Sequence, residues 1–371
     1  MIQSIVRTEK YDEELLFNAV CRHFETLKIA DELKPEMKVV IKPNFVMAVK
    51  PEAAATTHPL LIKSVVRWLR EHGINNITIA ESSGGLYTQE HLRKIYNVCS
   101  VAGAGMDELL NFDTGAGPVS TRAGFANGSF NIINPIREAD YIINMPKLKT
   151  HGMTGFSCGM KNIFGVIPGL EKPQMHYRWP DINDFSKMIL ELDMTVAPQL
   201  TLVDAVEGME GNGPTGGDKK YFGYTFAAKD MYTQDCYIAK CIGIEPDDIV
   251  MLRLAREAGL ANMDAVTFCG DEFTEKVIPF AIPDTKRLDF VDRVPGFLRK
   301  PAGFVMKRLL KSYPKFDTGL CVGCGRCAES CPSHIIRIKN KKAHFTKRGC
   351  ISCFCCQEMC PMKAISVKRA L

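Results

Sequence analysis

Cys321-Val-Gly-Cys-Gly-Arg-Cys-Ala-Glu-Ser-Cys-Pro332 is a cassette that returns 29 residues later as Cys350-Ile-Ser-Cys-Phe-Cys-Cys-Gln-Glu-Met-Cys-Pro361. Both copies read C-x2-C-x2-C-x3-C-P. This spacing puts three thiolates on one tight loop and leaves the fourth to reach a second site, which is typical of paired [4Fe-4S] clusters with crossed ligation. The sequence therefore predicts two [4Fe-4S] clusters.

The crossed pattern also predicts which cysteines share a cluster. The first three cysteines of each cassette are expected to join the fourth cysteine of the other. One set is Cys321, Cys324, Cys327 and Cys360, and the other is Cys350, Cys353, Cys356 and Cys331. A zinc site would need tetrads of CxxC pairs, and the two x3-C-P endings argue against it. Cys355 has no counterpart in the first cassette, and we interpret it as a buried thiol packed near a cluster.

The repeat continues beyond the cysteines. Residues 332–338 align with residues 361–367, so each half is predicted to contain a ligand loop, a short turn and a strand. This pattern resembles the dicluster ferredoxin fold over residues 316–371.

Composition limits the remaining possibilities. The chain has 371 residues, 46% of them hydrophobic and 24% charged, which suits one large and one small globular domain. No stretch approaches 18 consecutive apolar residues and the N-terminus lacks a signal-peptide core, so we expect no integral membrane span and a cytoplasmic location. Iron–sulfur clusters persist best in a reducing, low-oxygen interior, which favours an anaerobic setting.

The formal net charge of +5 does not indicate nucleic-acid binding. Each cluster with four thiolates carries about −2, and this charge must enter the sum. Residues 316–371 contain ten Lys or Arg against three Asp or Glu, so the basic excess mostly compensates the clusters. We therefore predict no nucleic-acid partner.

Upstream of residue 290, apolar β-branched runs alternate with amphipathic stretches. This alternation predicts an α/β domain over residues 1–290, with a mostly parallel sheet and helices on both faces. Thr57 is the expected N-cap of one helix and Gly73 its end. Strands are predicted at 38–41, 75–80, 128–134, 140–145 and 199–206. Helices are predicted at 59–72, 88–101, 182–196, 231–242 and 246–259.

Residues 291–315 are predicted to be a basic linker between the domains. From Arg293 to Lys315 the segment has seven basic residues and no acidic one, with three prolines. An apolar stripe on a short basic helix would also suit a membrane surface or an acidic partner. We favour a linker helix that lies on its own protein.

Polar segments follow four of the predicted strands, at 42–45, 81–85, 146–152 and 207–217. In open α/β sheets, ligands bind at the carboxyl ends of the strands, so these segments predict a crevice. The glycine-rich part at 211–217 is neither a Walker A motif nor a dinucleotide fingerprint. We interpret it as a turn or lid, with a phosphate cradle as the alternative.

Residues 147–162 supply most of the candidate side chains. Their lysines and histidine suit a carboxylate or phosphate, although a solvated lysine cluster is the alternative. We interpret Cys158 as an inert buried cysteine rather than a reactive thiol. Acid/base or metal-binding roles are open to the two carboxylates near residue 205. The predicted catalytic residues are His151, Lys161, Asp204 and Glu207. The predicted substrate-binding residues are Lys42, Asn44, Lys147, Lys149, Ser157 and Asn162.

These segments resemble the family catalogued as domain of unknown function 362. The matching stretches are Lys42-Pro43-Asn44, Thr57-His58-Pro59, 146–151 with 161–165, and 204–208 with 211–214. The resemblance covers about residues 1–280, and family members are often fused to a dicluster ferredoxin domain. The family name implies an architecture and no reaction.

A second resemblance concerns residues 151–161. The spacing from His151 to Lys161 is similar to a segment of the lactate racemase catalytic subunit, whose lysine tethers a nickel-pincer cofactor. The Pro-Gly that follows lies farther from the lysine here, and a companion His-His pair is absent from the sequence. We therefore expect a related ligand cradle and no nickel-pincer site.

Two functions agree with these features. The first is an iron–sulfur oxidoreductase that passes low-potential electrons through two [4Fe-4S] clusters to a small anionic substrate or cofactor in the N-terminal domain. The second is a non-enzymatic electron-transfer or activation protein that docks and reduces a partner protein. Both require an electron donor or acceptor protein, and a bound small anion would favour the first.

Overall fold

The computed structural model describes residues 1–121, 128–284 and 312–369. They form a large α/β domain and a small α+β domain. The strands of the large domain are β1 (Ile2–Arg7), β2 (Val39–Lys42), β3 (Ile77–Ile79), β4 (Ala116–Ser120), β5 (Ser129–Ile133), β6 (Tyr141–Asn144), β7 (Lys147–His151), β8 (Gly155–Ser157), β9 (Leu200–Glu210), β10 (Asp218–Ala228) and β11 (Thr267–Gly270). Its helices are α1 (Glu13–Thr26), α2 (Pro59–Glu71), α3 (Gln89–Val98), α4 (Asn134–Arg137), α5 (Gly159–Ile163), α6 (Glu171–Arg178), α7 (Ile182–Val196), α8 (Met231–Cys241) and α9 (Val250–Glu257).

One sheet organises the large domain, with strand order β11-β1-β10-β9-β6-β2-β3 and with β7 and β8 attached to β9. Strands β3, β2, β6 and β9 run parallel to their neighbours in that order, whereas β10 is antiparallel to both β9 and β1. The predicted α/β fold with a mostly parallel sheet is confirmed.

Helices cover both faces of this sheet. Val39 and Ile41 of β2 face a core that contains residues of α1, α2 and α3, while Val40 faces a core with residues of α5, α7, α8 and α9. Successive residues of a strand point to opposite faces, so a fully buried strand needs the continuous apolar run seen here.

Helix α2 begins one residue later than the predicted cap implies. His58 is the N-cap, and its ring nitrogen accepts a hydrogen bond from the backbone N–H of Leu60. The hydroxyl of Thr57 instead donates to the carbonyl of Met145 at 2.6 Å. The prediction of Thr57 as N-cap was therefore wrong, because this threonine ties α2 to the end of β6. Gly73 follows the helix with a positive φ of 78°, as a C-terminal glycine should.

Of the segments expected to be loops, one is mostly a strand and another begins as one. Residues 147–151 form β7, which pairs with β8 and with β9. Strand β9 continues to Glu210 and turns at 211–217 into β10. The loop predictions failed here because lateral pairing, which local composition does not reveal, extends both strands.

The two cassettes of the small domain, which repeat in sequence, also repeat in structure. It consists of β12 (Ser312–Phe316), α10 (Arg326–Glu329), β13 (Ile336–Lys339), β14 (Lys342–Phe345), α11 (Cys355–Glu358) and β15 (Ile365–Arg369). Strand β12 pairs with β15, and β13 pairs with β14, both antiparallel. Each cassette contributes one short helix at the same position. This agrees with the predicted ferredoxin-like fold.

Strand β12 starts inside the segment assigned to the linker, and residues 291–311 of that segment lie outside the described residues. Within the described ranges, no helix is both long and apolar enough to cross a bilayer. The cytoplasmic location stays a prediction.

Candidate functional site

The cassette cysteines surround two small cavities in the C-terminal domain. The first cavity contains about 350 Å³ of empty space, counted together with its opening to solvent, and its lining includes Cys321, Cys324, Cys327 and Cys360. The second contains about 330 Å³ by the same measure, and its lining includes Cys331, Cys350, Cys353 and Cys356. We call them the first and second cradles. Each combines three cysteines of one cassette with the last cysteine of the other.

The cradles suit iron–sulfur clusters in their other contacts too. The remaining lining is mostly apolar, with Phe316 and Ile338 in the first cradle and Ile336 and Phe345 in the second. Backbone N–H groups approach ligand sulfurs, as between Ala364 and Cys360 Sγ at 3.3 Å. Such N–H groups stabilise the negative charge of a bound cluster, whereas an apolar wall limits its solvation, and the two effects together set the reduction potential.

A larger cavity lies between the two domains and contains about 740 Å³ of empty space, counted together with its opening to solvent. Loops after β2 and β3 supply Asn44 and residues 81–85, at the carboxyl ends of parallel strands. The small domain closes the other side with Ser330, Cys355, Glu358 and Met359. The crevice predicted from strand ends is thus a cavity that both domains complete. We call it the interdomain cavity.

Polar contacts hold the small domain over this cavity. The hydroxyl of Thr215, in the turn between β9 and β10, donates to the carbonyl of Glu358 at 2.6 Å. The ammonium of Lys363 donates to the carbonyl of Gly217 at 3.1 Å. Met359 packs on Gly84, where an added Cβ would lie 2.6 Å from the methionine sulfur. The segment interpreted as a turn or lid therefore forms part of the domain contact.

Three lysines of the cavity wall lack a carboxylate partner within salt-bridge distance in the described chain. Lys149 donates to the carbonyl of Ala55 at 2.7 Å and to the side chain of Asn44. Lys172 donates to the hydroxyl of Ser82 at 3.0 Å and to neighbouring carbonyls. Burial lowers the pKa of Lys149 and of Lys172 to about 7. Lys149 has two oxygen acceptors and keeps a third N–H donor for an anion. The donors of Lys172 are occupied by neutral oxygens, so this lysine attracts an anion through its charge.

The ammonium of Lys161 has different surroundings from those of Lys149 and Lys172. Its ammonium lies 4.3 Å from the ring centre of Phe164 and 5.7 Å from that of Phe185. Burial lowers the pKa of Lys161. A cation held by aromatic faces keeps its hydrogen-bond donors available for a ligand.

His151 presents one ring nitrogen to the cavity. Its Nδ1 accepts the backbone N–H groups of Met153 at 3.1 Å and Thr154 at 3.4 Å. Nδ1 is therefore unprotonated, and in the neutral ring Nε2 carries the hydrogen. Nε2 lies 3.5 Å from a carboxylate oxygen of Glu358. The ring thus has a defined N–H facing the small domain.

Lys42 and Glu81 form a buried ion pair beside the cavity, with 2.8 Å between Nζ and Oε2. The Lys42 side chain is 0% exposed and that of Glu81 is 4% exposed. Asn162 donates to the side chain of Asn144 and accepts from Asn44, both at 2.8 Å. Lys42 is thus committed to its partner, while Asn44 and Asn162 line the cavity together with Ser157.

Lys147, Asp204 and Glu207 are not among the residues that line the cavity. Lys147 donates to Asp204 at 3.0 Å, and Tyr11 donates to the same carboxylate at 2.8 Å. The backbone N–H of His58 also donates to Asp204. Glu207 pairs with Lys219 at 2.9 Å near the surface. The structure therefore brings His151, Lys149 and Lys161 together around the cavity. Lys147, Asp204 and Glu207 lie outside its lining.

Sequence reasoning missed Lys172, His176 and Glu358. Lys172 and His176 lie on α6, which follows no strand, so a rule based on strand ends does not reach them. Glu358 Oε1 is paired with His151, but His176 Nδ1 and Ser83 Oγ are buried in the cavity wall and have no hydrogen-bond partner among the described residues. Buried polar atoms are rarely left unsatisfied, so these atoms point to a bound ligand.

Two of the cysteines outside the ligand sets, Cys158 and Cys355, are buried near the candidate site. Cys158 is 1% exposed, and burial beside Asp235 raises its pKa well above the usual thiol range. Cys355 is 4% exposed and lines the interdomain cavity rather than a cradle. A buried thiol with a raised pKa is unreactive, so the structure agrees with the inert interpretation of Cys158.

Comparisons with known proteins agree with this architecture. A family profile described as domain of unknown function (DUF362) matches residues 39–240, and one described as a 4Fe-4S dicluster domain matches residues 313–361. The chain is 26% identical over 266 residues to the thylakoid-associated protein sll1697 of Synechocystis sp., covering 69% of this chain and 79% of that protein.

Among solved structures, the lactate racemase apoprotein from Thermoanaerobacterium thermosaccharolyticum aligns with a TM-score of 0.38 and 15% identity. The alignment covers 63% of this chain and 57% of the racemase chain, and it supports no argument about function. The DUF362 profile spans more than half of the chain. The chain therefore belongs to the DUF362 family and carries a 4Fe-4S dicluster domain at its C-terminal end.

Proposed function

We propose that this protein is an iron–sulfur oxidoreductase in which two [4Fe-4S] clusters pass low-potential electrons to a small anionic substrate or cofactor in the interdomain cavity. The observation that carries the proposal is the composition of the cavity wall. Lys149, Lys161 and His151 lie on one side. Ser330 and Cys355 lie on the other, and each is joined by one peptide bond to a cysteine of the second cradle.

The lysines give the cavity its preference for anions. Transfer of a charged amine from water into a buried site is unfavourable, which is why burial lowers the pKa of Lys149 and Lys172. An anion within hydrogen-bond distance would restore the charged form and form charge-assisted hydrogen bonds. Ser157, Asn44 and Asn162 would orient its polar groups.

His151 is the proposed proton donor. Its Nε2 carries the hydrogen because two backbone N–H groups occupy Nδ1. The clusters would supply single electrons when bound. A substrate that gains electrons in a closed site also needs protons, and His151 lies in the wall where such a proton can be delivered.

Anion retention tests the binding half of this proposal. Protein purified without oxygen would be denatured, and the released small molecules identified by mass spectrometry. We expect an anionic compound in the wild type, its loss in Lys161→Met, and its retention in Lys187→Met, a control on α7 whose side chain is 43% exposed. Equal retention in both variants, or no anion in the wild type, would contradict the proposal.

Proton delivery needs a separate measurement. In His151→Gln the anion should still be retained, because the lysines remain. Reoxidation of the reduced clusters by that compound should slow by about 10²–10⁴-fold, the usual contribution of a general acid. Reoxidation at the wild-type rate would exclude His151 as the donor.

A further inference from the structure

The two cradles differ in their access to solvent. Cys324, in the first cradle, is exposed, whereas the other cassette cysteines are buried or partly buried. The second cradle lies next to the interdomain cavity. Its ligands Cys331 and Cys356 directly follow Ser330 and Cys355, which line that cavity. An electron from outside therefore reaches the first cradle more easily.

Exposed apolar side chains lie near the exposed cysteine. Val322 is 56% exposed, Leu320 51% and Met362 44%, and in the described part of the small domain these are the exposed large apolar side chains. Val322 and Met362 also line the first cradle. Exposed apolar groups that cluster in this way typically mark an interaction site. We call Leu320, Val322, Cys324 and Met362 the entry patch.

A basic hairpin borders the entry patch. Lys339, Lys341 and Lys342 lie at the turn between β13 and β14, and Lys339 and Lys341 are exposed. The Lys341 backbone packs against Gly323, where an added Cβ would lie 2.4 Å from its carbonyl oxygen. Lys342 donates to the carbonyl of Cys321 at 2.7 Å. The patch therefore has a positive border.

One acidic residue lies in the same loop. The carboxylate of Asp317 accepts the backbone N–H groups of Gly319 and Leu320, and the three lysines of the hairpin outnumber it. Apolar centres with charged borders are typical of transient docking, where the border steers the partner and the centre excludes water.

We propose that the entry patch is the docking site of a small acidic electron-carrier protein, which delivers electrons to the cluster of the first cradle. In each encounter the reduced one-electron centre of the carrier loses one electron and that cluster gains it, with no bond formed or broken and no proton transferred. The inference rests on the proposed function only in assuming that electrons reach the interdomain cavity through the clusters.

The test uses the reconstituted full chain and an acidic bacterial 2[4Fe-4S] ferredoxin as the probe. Binding of the oxidised ferredoxin is measured by biolayer interferometry at low and high salt. Leu320→Asp and Lys341→Glu should each weaken binding by about tenfold at low salt, and the difference should shrink at high salt. Lys240→Glu on α8 and Phe268→Asp on β11 are exposed controls that should bind as the wild type does.

Reduction by dithionite separates docking from damage to the clusters. Iron content and the rate of reduction by dithionite should be unchanged in Leu320→Asp and Lys341→Glu, while reduction by the ferredoxin slows. The inference is overturned if both variants bind the ferredoxin as tightly as the wild type. It is also overturned if the wild type forms a homodimer through this patch and Lys341→Glu does not change the affinity for the ferredoxin. Neither result affects anion retention in the cavity, so the proposed function is tested separately.

Discussion

Anion binding in the interdomain cavity should take up protons above neutral pH. Because burial lowers the pKa of Lys149 and Lys172 to about 7, each amine is roughly nine-tenths neutral at pH 8. A bound anion raises the pKa of both amines by charge attraction. Uptake should therefore approach about two protons per anion at pH 8 and fall to about zero at pH 5, and affinity should fall as pH rises through 7.

Isothermal titration calorimetry with sulfate measures this uptake, because sulfate keeps its charge across the range. The heat is compared in buffers of different ionisation enthalpy, and the slope gives the protons bound. A Glu358→Gln background removes a carboxylate whose pKa burial raises to about 7. In that background, Lys149→Met and Lys172→Met should each remove about one proton of the uptake at pH 8. Identical heats in all buffers, or tighter binding at pH 8 than at pH 6, would refute the reasoning.

Other predictions concern stability, ligation and domain contact. Lys42→Met should lower the free energy of unfolding by about 3–5 kcal/mol, because Glu81 stays buried without its partner. In urea denaturation, the double variant Lys42→Met/Glu81→Leu should recover most of the lost stability. If the losses of the two single variants simply add in the double variant, this explanation is contradicted. Cys355→Ser should keep about eight irons per chain, whereas Cys356→Ser should keep about four, and equal loss of iron would count against these cradles. Thr215→Val should weaken the domain contact by about 0.5–1.5 kcal/mol. Faster hydrogen exchange in α11 checks this, and unchanged exchange would contradict it.

The sequence was most informative where chemistry depends on spacing. Cassettes that begin at Cys321 and Cys350 identify a dicluster domain without any tertiary information, because three ligands lie within one loop. The polar segments after β2 and β3 reach the cavity, because carboxyl ends of parallel strands share one edge of the sheet.

Residues that reach the site only through tertiary packing could not be found in this way. Glu358 comes from the cassette, and its position over the large domain depends on how the two domains dock. Asp204 shows the opposite case. It was expected near the end of a strand, but β9 continues past it to Glu210 because β10 pairs with it on both sides of a bulge. Long-range pairing and docking leave little trace in local composition.

The most direct test of electron delivery to the cavity is the fate of the bound anion when the clusters are reduced. Protein purified without oxygen, with its anion retained, would be given a limited amount of ferredoxin-derived electrons and then analysed by mass spectrometry and electron paramagnetic resonance. The account predicts that the anion gains mass as hydrogen while the clusters return to their oxidised state, and that Lys161→Met leaves the clusters reduced. Clusters that stay reduced beside an unchanged anion in the wild type would contradict it.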